Sequence, residues 1–177
     1  TLGRNGVTSN YRYDLAPYTW ELVHDRRALV GINTAHPNGL VAEAIEAGTI
    51  AELQGYESQR REVKYGKNSR IDILLEGSGP PCYVEVKNVH LSREAGAAEF
   101  PDSVTARGAK HLVEMADMVA EGHRAVMVYL IQRDDCDHLS IAGDIDPNYD
   151  AGLTAAMASG VEAIAYSCKL SQKAITV

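Results

Sequence analysis

The sequence has few cysteines, no long hydrophobic run and no clustered histidines, and each absence excludes a class of site. The cysteines at 82, 136 and 168 form no C-x-x-C pair, which argues against a zinc knuckle or a redox motif and favours reduced thiols in the cytoplasm. Apolar runs such as 125–131 fall far short of the roughly 20 residues of a membrane span. The six histidines form no H-x-x-x-H pair, so a helical zinc site is disfavoured.

The sequence also lacks a basic excess, since 17 Lys and Arg stand against 24 Asp and Glu for a net charge of −7. This balance alone disfavours nucleic acid as a partner. The charges are unevenly distributed, however, because the segment from Arg60 to Arg70 holds five basic residues and a single acid, Glu62. Such a basic strip suits a phosphate backbone, although a solvated β-loop is the simpler alternative. The length of 177 residues predicts one hydrophobic core.

Changes in hydrophobic period along the chain predict an α/β order of elements. We expect strands at 18–23, 28–32, 61–65, 70–75, 82–89, 124–131 and 161–166, and helices at 38–53, 103–121 and 147–159. Asn38 can cap the first helix, and Asp102 or Ser103 the second. We expect an irregular loop at 90–102. The continuous apolar run 124–131 predicts a central strand that is covered on both faces.

Acidic residues interrupt two of these apolar strands. Asp72 stands between Ile71 and Ile73, and thirteen residues later Glu85-Val86-Lys87 places Glu85 and Lys87 on one strand face. Buried charges are unfavourable unless they are paired or bind a metal. Two carboxylates and a backbone carbonyl are ligands suited to Mg²⁺ or Mn²⁺, with which a lysine can activate water against a phosphodiester. The alternative is an ordinary salt-bridge ladder on a surface hairpin.

At these residues the sequence resembles the sugar fermentation stimulation protein A (SfsA) family. The resemblance covers about 18–177, and its matching stretches are Asn33-Thr34, Pro37-Asn38, Val63-Lys64-Tyr65-Gly66, Ser69-Arg70-Ile71-Asp72, 82–89, Phe100-Pro101-Asp102, Arg107-Gly108, Lys110-His111-Leu112 and 121–126. It implies an α/β, restriction-endonuclease-like fold of the PD-(D/E)xK superfamily, with a mixed central sheet flanked by helices. Ile71 stands where the superfamily name has proline.

The resemblance also implies a domain organisation. The nuclease-like domain would occupy 18–177. Residues 1–17, which begin with Thr1 rather than Met, would be the remnant of a linker or of a preceding OB-like domain that the full-length protein is expected to carry.

The resemblance assigns roles to individual residues. Asp72 and Glu85 would be catalytic metal ligands for Mg²⁺ or Mn²⁺, with the Val86 carbonyl as a third ligand and Lys87 as the catalytic lysine. Glu43 is the preferred additional acid, with Glu46 and Glu62 as rivals. The expected nucleic-acid contacts are Lys64, Lys67, Arg70, Arg107, Lys110 and His111.

These residues predict a metal-dependent nuclease that hydrolyses DNA or RNA, with DNA the preferred partner and no membrane association. The alternative is a non-enzymatic DNA-binding regulator of sugar metabolism, of the maltose type, on a nuclease-like scaffold. A sugar-responsive accessory protein ranks last, because no sugar-binding motif is present. A homodimer is left open.

Overall fold

A computed structural model describes residues 2–4, 18–66 and 69–177. Most of the predicted remnant 1–17, and the predicted phosphate contact Lys67, lie outside the described residues. The strands are β1 Leu2–Arg4, β2 Tyr18–Trp20, β3 Leu22–His24, β4 Leu29–Gly31, β5 Ser58–Tyr65, β6 Ser69–Glu76, β7 Cys82–Val89, β8 Gly96–Phe100, β9 Arg124–Ile131, β10 Cys136–Ile141, β11 Glu162–Ser167, β12 Lys169–Leu170 and β13 Ile175–Thr176. The helices are α1 Pro37–Glu46, α2 Ala106–Ala120 and α3 Pro147–Ala158, with a 3₁₀ turn at Ala51–Leu53. No helix in the described part of the chain is both long and apolar enough to span a membrane.

A five-stranded mixed sheet in the order β11-β9-β7-β6-β5 forms the centre of the fold. Strands β11, β9 and β7 are parallel, whereas β6 and β5 join by antiparallel pairing. Strand β9 lies between β11 and β7, and all its residues except Arg124 are buried. The prediction of a central strand covered on both faces is therefore confirmed.

Helices cover both faces of this sheet. Helix α1 packs with Val84, Val86 and Val128 on one face, whereas α2 and α3 pack with Met127 and Tyr129 on the other. Because side chains alternate along a strand, Val84 and Val86 of β7 face α1 while Glu85 and Lys87 point to the side of α2. Because apolar and charged residues alternate along this part of β7, its charged residues lie on the sheet face that α2 covers.

The first helix is shorter than the predicted span 38–53. It ends at Glu46, and Gly48 follows with φ +76°, a left-handed conformation that terminates helices and favours glycine. Residues 51–53, which the predicted span included, form the separate 3₁₀ turn, and its Leu53 is buried. The spacing of the apolar residues did not reveal this break, because Leu53 in the 3₁₀ turn packs in the same hydrophobic cluster as α1.

Two strand predictions are also corrected. The predicted strand 18–23 is two short strands, β2 paired with β1 and β3 paired with β4. The predicted loop 90–102 contains β8, which pairs in parallel with β10. The small residues Gly96, Ala97 and Ala98 have little intrinsic strand preference, and their pairing partner lies about forty residues later in the chain.

The predicted helix caps differ from those observed. Thr105, rather than Asp102 or Ser103, caps α2 by accepting a hydrogen bond from Gly108 N at 2.9 Å. Asn38 makes no capping hydrogen bond for α1, whose N-cap residue is His36. The side chain of Asn38 is therefore available for another contact, which lies at the candidate site.

Candidate functional site

The candidate site forms where strands β6 and β7 stop pairing. Their register runs from Leu75–Cys82 to Ile73–Val84, and the next opposed pair in that register is Asp72 and Glu85. Instead of a backbone pair, Asp72 Oδ2 accepts a hydrogen bond from Val86 N at 2.8 Å. The Asp72 side chain thus takes the place of a backbone hydrogen-bond partner from β6, and the two predicted carboxylates come together.

Asp72 is held by two donors and affected by a second acid. Besides Val86 N, the Asn38 amide donates to its Oδ1 at 2.7 Å. Burial and the neighbouring Glu85 raise the pKa of Asp72 to about 6, although its hydrogen bonds and Lys87 oppose the shift. Two carboxylates in one buried place repel each other, so this side chain takes up a proton more readily than an ordinary aspartate.

Glu85 is 3% exposed and uses its two carboxylate oxygens differently. Lys87 Nζ donates to Oε1 at 2.8 Å, and His111 Nδ1 also hydrogen-bonds Oε1. Oε2 is buried and has no hydrogen-bond partner among the described residues. Burial raises the pKa of Glu85, but the hydrogen bonds of His111 and Lys87 outweigh it, so the pKa lies below its usual value.

The donor set suits a hard divalent cation. A buried carboxylate oxygen without a partner is unfavourable, and a cation beside Oε2 would relieve both that loss and the repulsion between Asp72 and Glu85. Within the described residues, no three His, Cys, Asp or Glu side chains are grouped to hold a metal ion. The cation would therefore rest on Asp72, Glu85, the backbone at Val86 and water, as Mg²⁺ commonly does.

Glu43, the preferred additional acid, is not brought to this pair. It is exposed on α1 and lines a groove with Ile175, Thr176 and Val177. Asn38 contacts Asp72 instead. Because five helical residues correspond to roughly 140° of rotation, Asn38 and Glu43 point in different directions.

Of the two rival acids, Glu62 lies nearer to the site. The β5–β6 register pairs Arg61 with Ile73 and Val63 with Ile71, which places Glu62 opposite Asp72. Its φ of +55° is unusual for a residue other than glycine, and Asn38 Nδ2 approaches its Oε1 at 3.5 Å. Glu46 is exposed on α1.

The predicted phosphate contacts divide by depth. Lys64, Arg70, Arg107 and Lys110 are exposed. Lys64 and Arg70 are opposed across β5 and β6, whereas Lys110 donates to Ser69 Oγ at 3.2 Å. His111 is 3% exposed and lies against Glu85. The expectation that His111 meets phosphate is corrected, because its ring is buried behind Glu85.

Sequence reasoning missed Asn38 and Tyr65 as members of the site. Tyr65 Oη is buried without a hydrogen-bond partner in the described part of the chain. Burial, followed by the charges of Glu85, Glu114 and Asp72, raises the pKa of Tyr65. Asn38 resembled a helix cap, and no sequence signal distinguishes a capping asparagine from one that reaches a distant strand.

Comparison with known proteins identifies the family. The model of the Sugar fermentation stimulation protein RE domain matches residues 35–174. A Sugar fermentation stimulation protein homolog from Rhodospirillum centenum is 62% identical over 165 residues, which cover 91% of this chain and 70% of the homolog. A homolog from Paramagnetospirillum magneticum is 61% identical over 159 residues, which cover 89% of this chain and 67% of the homolog.

A solved structure supports the fold. Pyrococcus furiosus SfsA in complex with Ca²⁺ superposes with a TM-score of 0.87 at 24% identity, over 99% of this chain and 73% of that chain. The predicted restriction-endonuclease-like fold, with a mixed central sheet and flanking helices, is confirmed. The chain belongs to the sugar fermentation stimulation protein family.

Proposed function

We propose that this domain is a metal-dependent nuclease that hydrolyses phosphodiester bonds of nucleic acid, with DNA as the preferred substrate. One observation carries the proposal: Asp72 and Glu85 come together where two strands separate, and Lys87 Nζ lies 2.8 Å from Glu85 Oε1. A buried acid beside a partly buried acid and a partly buried lysine is unfavourable without a charged ligand. A divalent cation and a phosphodiester supply complementary charges.

Asp72, Glu85 and the backbone at Val86 would hold Mg²⁺ or Mn²⁺. Such a cation, when bound, polarises a phosphoryl oxygen and makes a water more acidic. The Ca²⁺ in the complex of Pyrococcus furiosus SfsA is another cation that prefers oxygen ligands, which supports this choice. Glu62, opposite Asp72, replaces Glu43 as the proposed additional acid.

Lys87 and Asn38 would have separate tasks. The Lys87 ammonium, on the same strand face as Glu85, can orient the attacking water and stabilise charge that develops at phosphorus. Asn38 hydrogen-bonds Asp72 and so fixes the direction in which its carboxylate points.

The substrate backbone would lie along β5 and β6. Lys64 and Arg70 are exposed and directly opposed, and neither has an acidic partner among the residues that the structure describes. Like charges in opposed positions destabilise a sheet, whereas a phosphate between them would neutralise the repulsion.

The three free cysteines support the further proposal that the protein is cytoplasmic, where thiols stay reduced.

Cleavage assays with the purified chain test the proposal. Single- and double-stranded DNA and RNA are incubated with Mg²⁺, with Mn²⁺ and with EDTA. The variants Asp72→Asn and Lys87→Met are compared with Asp117→Asn and Lys169→Met, which make the same chemical changes at exposed positions on α2 and β12. We expect metal-dependent cleavage that the first two variants lose by at least about 100-fold and that the matched controls retain.

Two outcomes contradict the proposal. One is the absence of cleavage by the wild-type chain with either metal, and the other is equal cleavage by Asp72→Asn. Nucleic-acid binding that persists in EDTA and in both site variants, without cleavage, would instead support the DNA-binding regulator of sugar metabolism.

A further inference from the structure

Two residues of helix α2 connect the candidate ligand Glu85 to the protein surface. His111 is buried and hydrogen-bonds Glu85 Oε1 through Nδ1. Arg107, one turn earlier and exposed, donates from Nε to His111 Nε2 at 3.4 Å. These contacts form a continuous chain of hydrogen bonds from the protein surface to the carboxylate.

Arg107 and Glu85 together determine which nitrogen of His111 carries the proton. A guanidinium group can only donate hydrogen bonds, so His111 Nε2 must accept and carry no hydrogen. In a neutral imidazole the proton is then on Nδ1, where it is donated to Glu85 Oε1. Glu85 favours the same tautomer, because an ionised carboxylate can only accept a hydrogen bond from Nδ1, and Arg107 adds a matching constraint at Nε2.

We propose that Arg107 and His111 are positioning residues that occupy Glu85 Oε1 and so leave Oε2 to bind the cation. The inference rests on the proposed function of Glu85 as a metal ligand. Lys87 donates to the same Oε1, so both donors converge on one oxygen while the other has no partner in the described residues. A carboxylate fixed in this way presents one oxygen in a constant direction.

The expected size of the effect follows from metal sites in general. Loss of a residue that orients a metal ligand typically lowers metal affinity by about 10–100-fold. Replacement by asparagine offers an amide donor near the position of Nδ1, whereas leucine of similar volume offers none. Removal of His111 by leucine should therefore weaken binding more than replacement by asparagine.

The experiment measures Mn²⁺ binding to the whole chain by isothermal titration calorimetry, in the absence of nucleic acid. The variants are His111→Leu, His111→Asn and Arg107→Met, with Lys169→Met as the charge control at an exposed position on β12. We expect about tenfold weaker binding for His111→Leu, and recovery to within about threefold for His111→Asn. Circular dichroism verifies that each variant is folded.

The charge control separates positioning from electrostatics. Arg107→Met and Lys169→Met each remove one positive charge, so charge alone predicts that neither weakens cation binding. Positioning predicts that Arg107→Met weakens it by about threefold or more, while Lys169→Met does not. Because Arg107 is exposed, its variant decides the question even where His111→Leu fails to fold.

A second measurement needs no metal. Long-range ¹H–¹⁵N NMR spectra should show His111 protonated at Nδ1 and unprotonated at Nε2 in the metal-free chain, with this preference weakened in Arg107→Met. A proton on Nε2 of the wild type would overturn the proposal, as would folded His111→Leu that binds Mn²⁺ like the wild type. Failure of the wild type to bind Mn²⁺ would instead overturn the proposed function, and the positioning role with it.

Discussion

The raised pKa of Asp72 predicts that the metal-free protein is destabilised by its own site at neutral pH. Burial and Glu85 raise this pKa from 3.8 to about 6. A group whose pKa is higher in the folded state contributes stability that is fully present below its unfolded pKa and lost as the pH rises through its folded pKa. Ionisation of Asp72 should thus weaken the fold between about pH 4 and pH 7.

The magnitude follows from the difference between the two pKa values. At 1.36 kcal/mol for each pKa unit, a rise of about two units corresponds to about 3 kcal/mol. Asp72→Asn cannot ionise, so the pH dependence that Asp72 contributes, including that of its hydrogen bonds, is absent from this variant. The stability of the wild type relative to this variant should therefore increase by about 3 kcal/mol as the pH falls from 7 to 4.

Urea unfolding in EDTA, followed by circular dichroism at pH 4, 5, 6, 7 and 8, measures this difference. Acids that do not interact with Asp72 titrate alike in both proteins, so their contributions cancel in the comparison. Saturating Mn²⁺ should stabilise the wild type at pH 7 and should have little effect on Asp72→Asn. A constant difference between wild type and variant across this range would refute the reasoning, since Asp72 would then not be in a repulsive environment.

Three further substitutions test separate contacts. Asn38→Ala removes the 2.7 Å hydrogen bond to Asp72, and calorimetry should show Mn²⁺ binding weakened by about tenfold; unchanged binding would contradict its orienting role. Thr105→Ala removes the cap of α2 and should lower the free energy of unfolding by about 1 kcal/mol in urea. Arg124→Met removes two hydrogen bonds to Glu162, of 2.6 and 2.7 Å, and should lower it by about 1–3 kcal/mol while Mn²⁺ affinity stays constant. A change of affinity in this last variant would indicate that the site is sensitive to the stability of the whole sheet.

Elements whose apolar pattern is continuous could be predicted from the sequence. Strand 124–131 is buried on both faces, and 82–89 alternates between a buried apolar face and a polar one, so both matched their predicted bounds. Strand β8 could not be predicted, because its residues are small and its pairing partner, β10, is remote in the chain. Long-range pairing leaves no local pattern when side chains carry little strand preference.

The site could be predicted only as far as strand spacing determines it. Asp72 and Glu85 were found because an acid within an apolar strand is conspicuous, and the structure brings them together. Glu43 was preferred because helix α1 carries it, but the direction of a helical side chain depends on how the helix packs against the sheet. Asn38 was missed for the same reason, since its contact with Asp72 spans 34 residues.

Helix α2 shows how one predicted face can serve two purposes at different depths. The spacing of Arg107, Lys110 and His111 does place them on one side of the helix, but His111 is buried while the other two are exposed. Arg107 uses Nε for His111, and a guanidinium group has five donors in a planar fork. Its terminal nitrogens can therefore meet a phosphate while Nε still orients the imidazole. A phosphate contact and the positioning of Glu85 are thus compatible in one side chain.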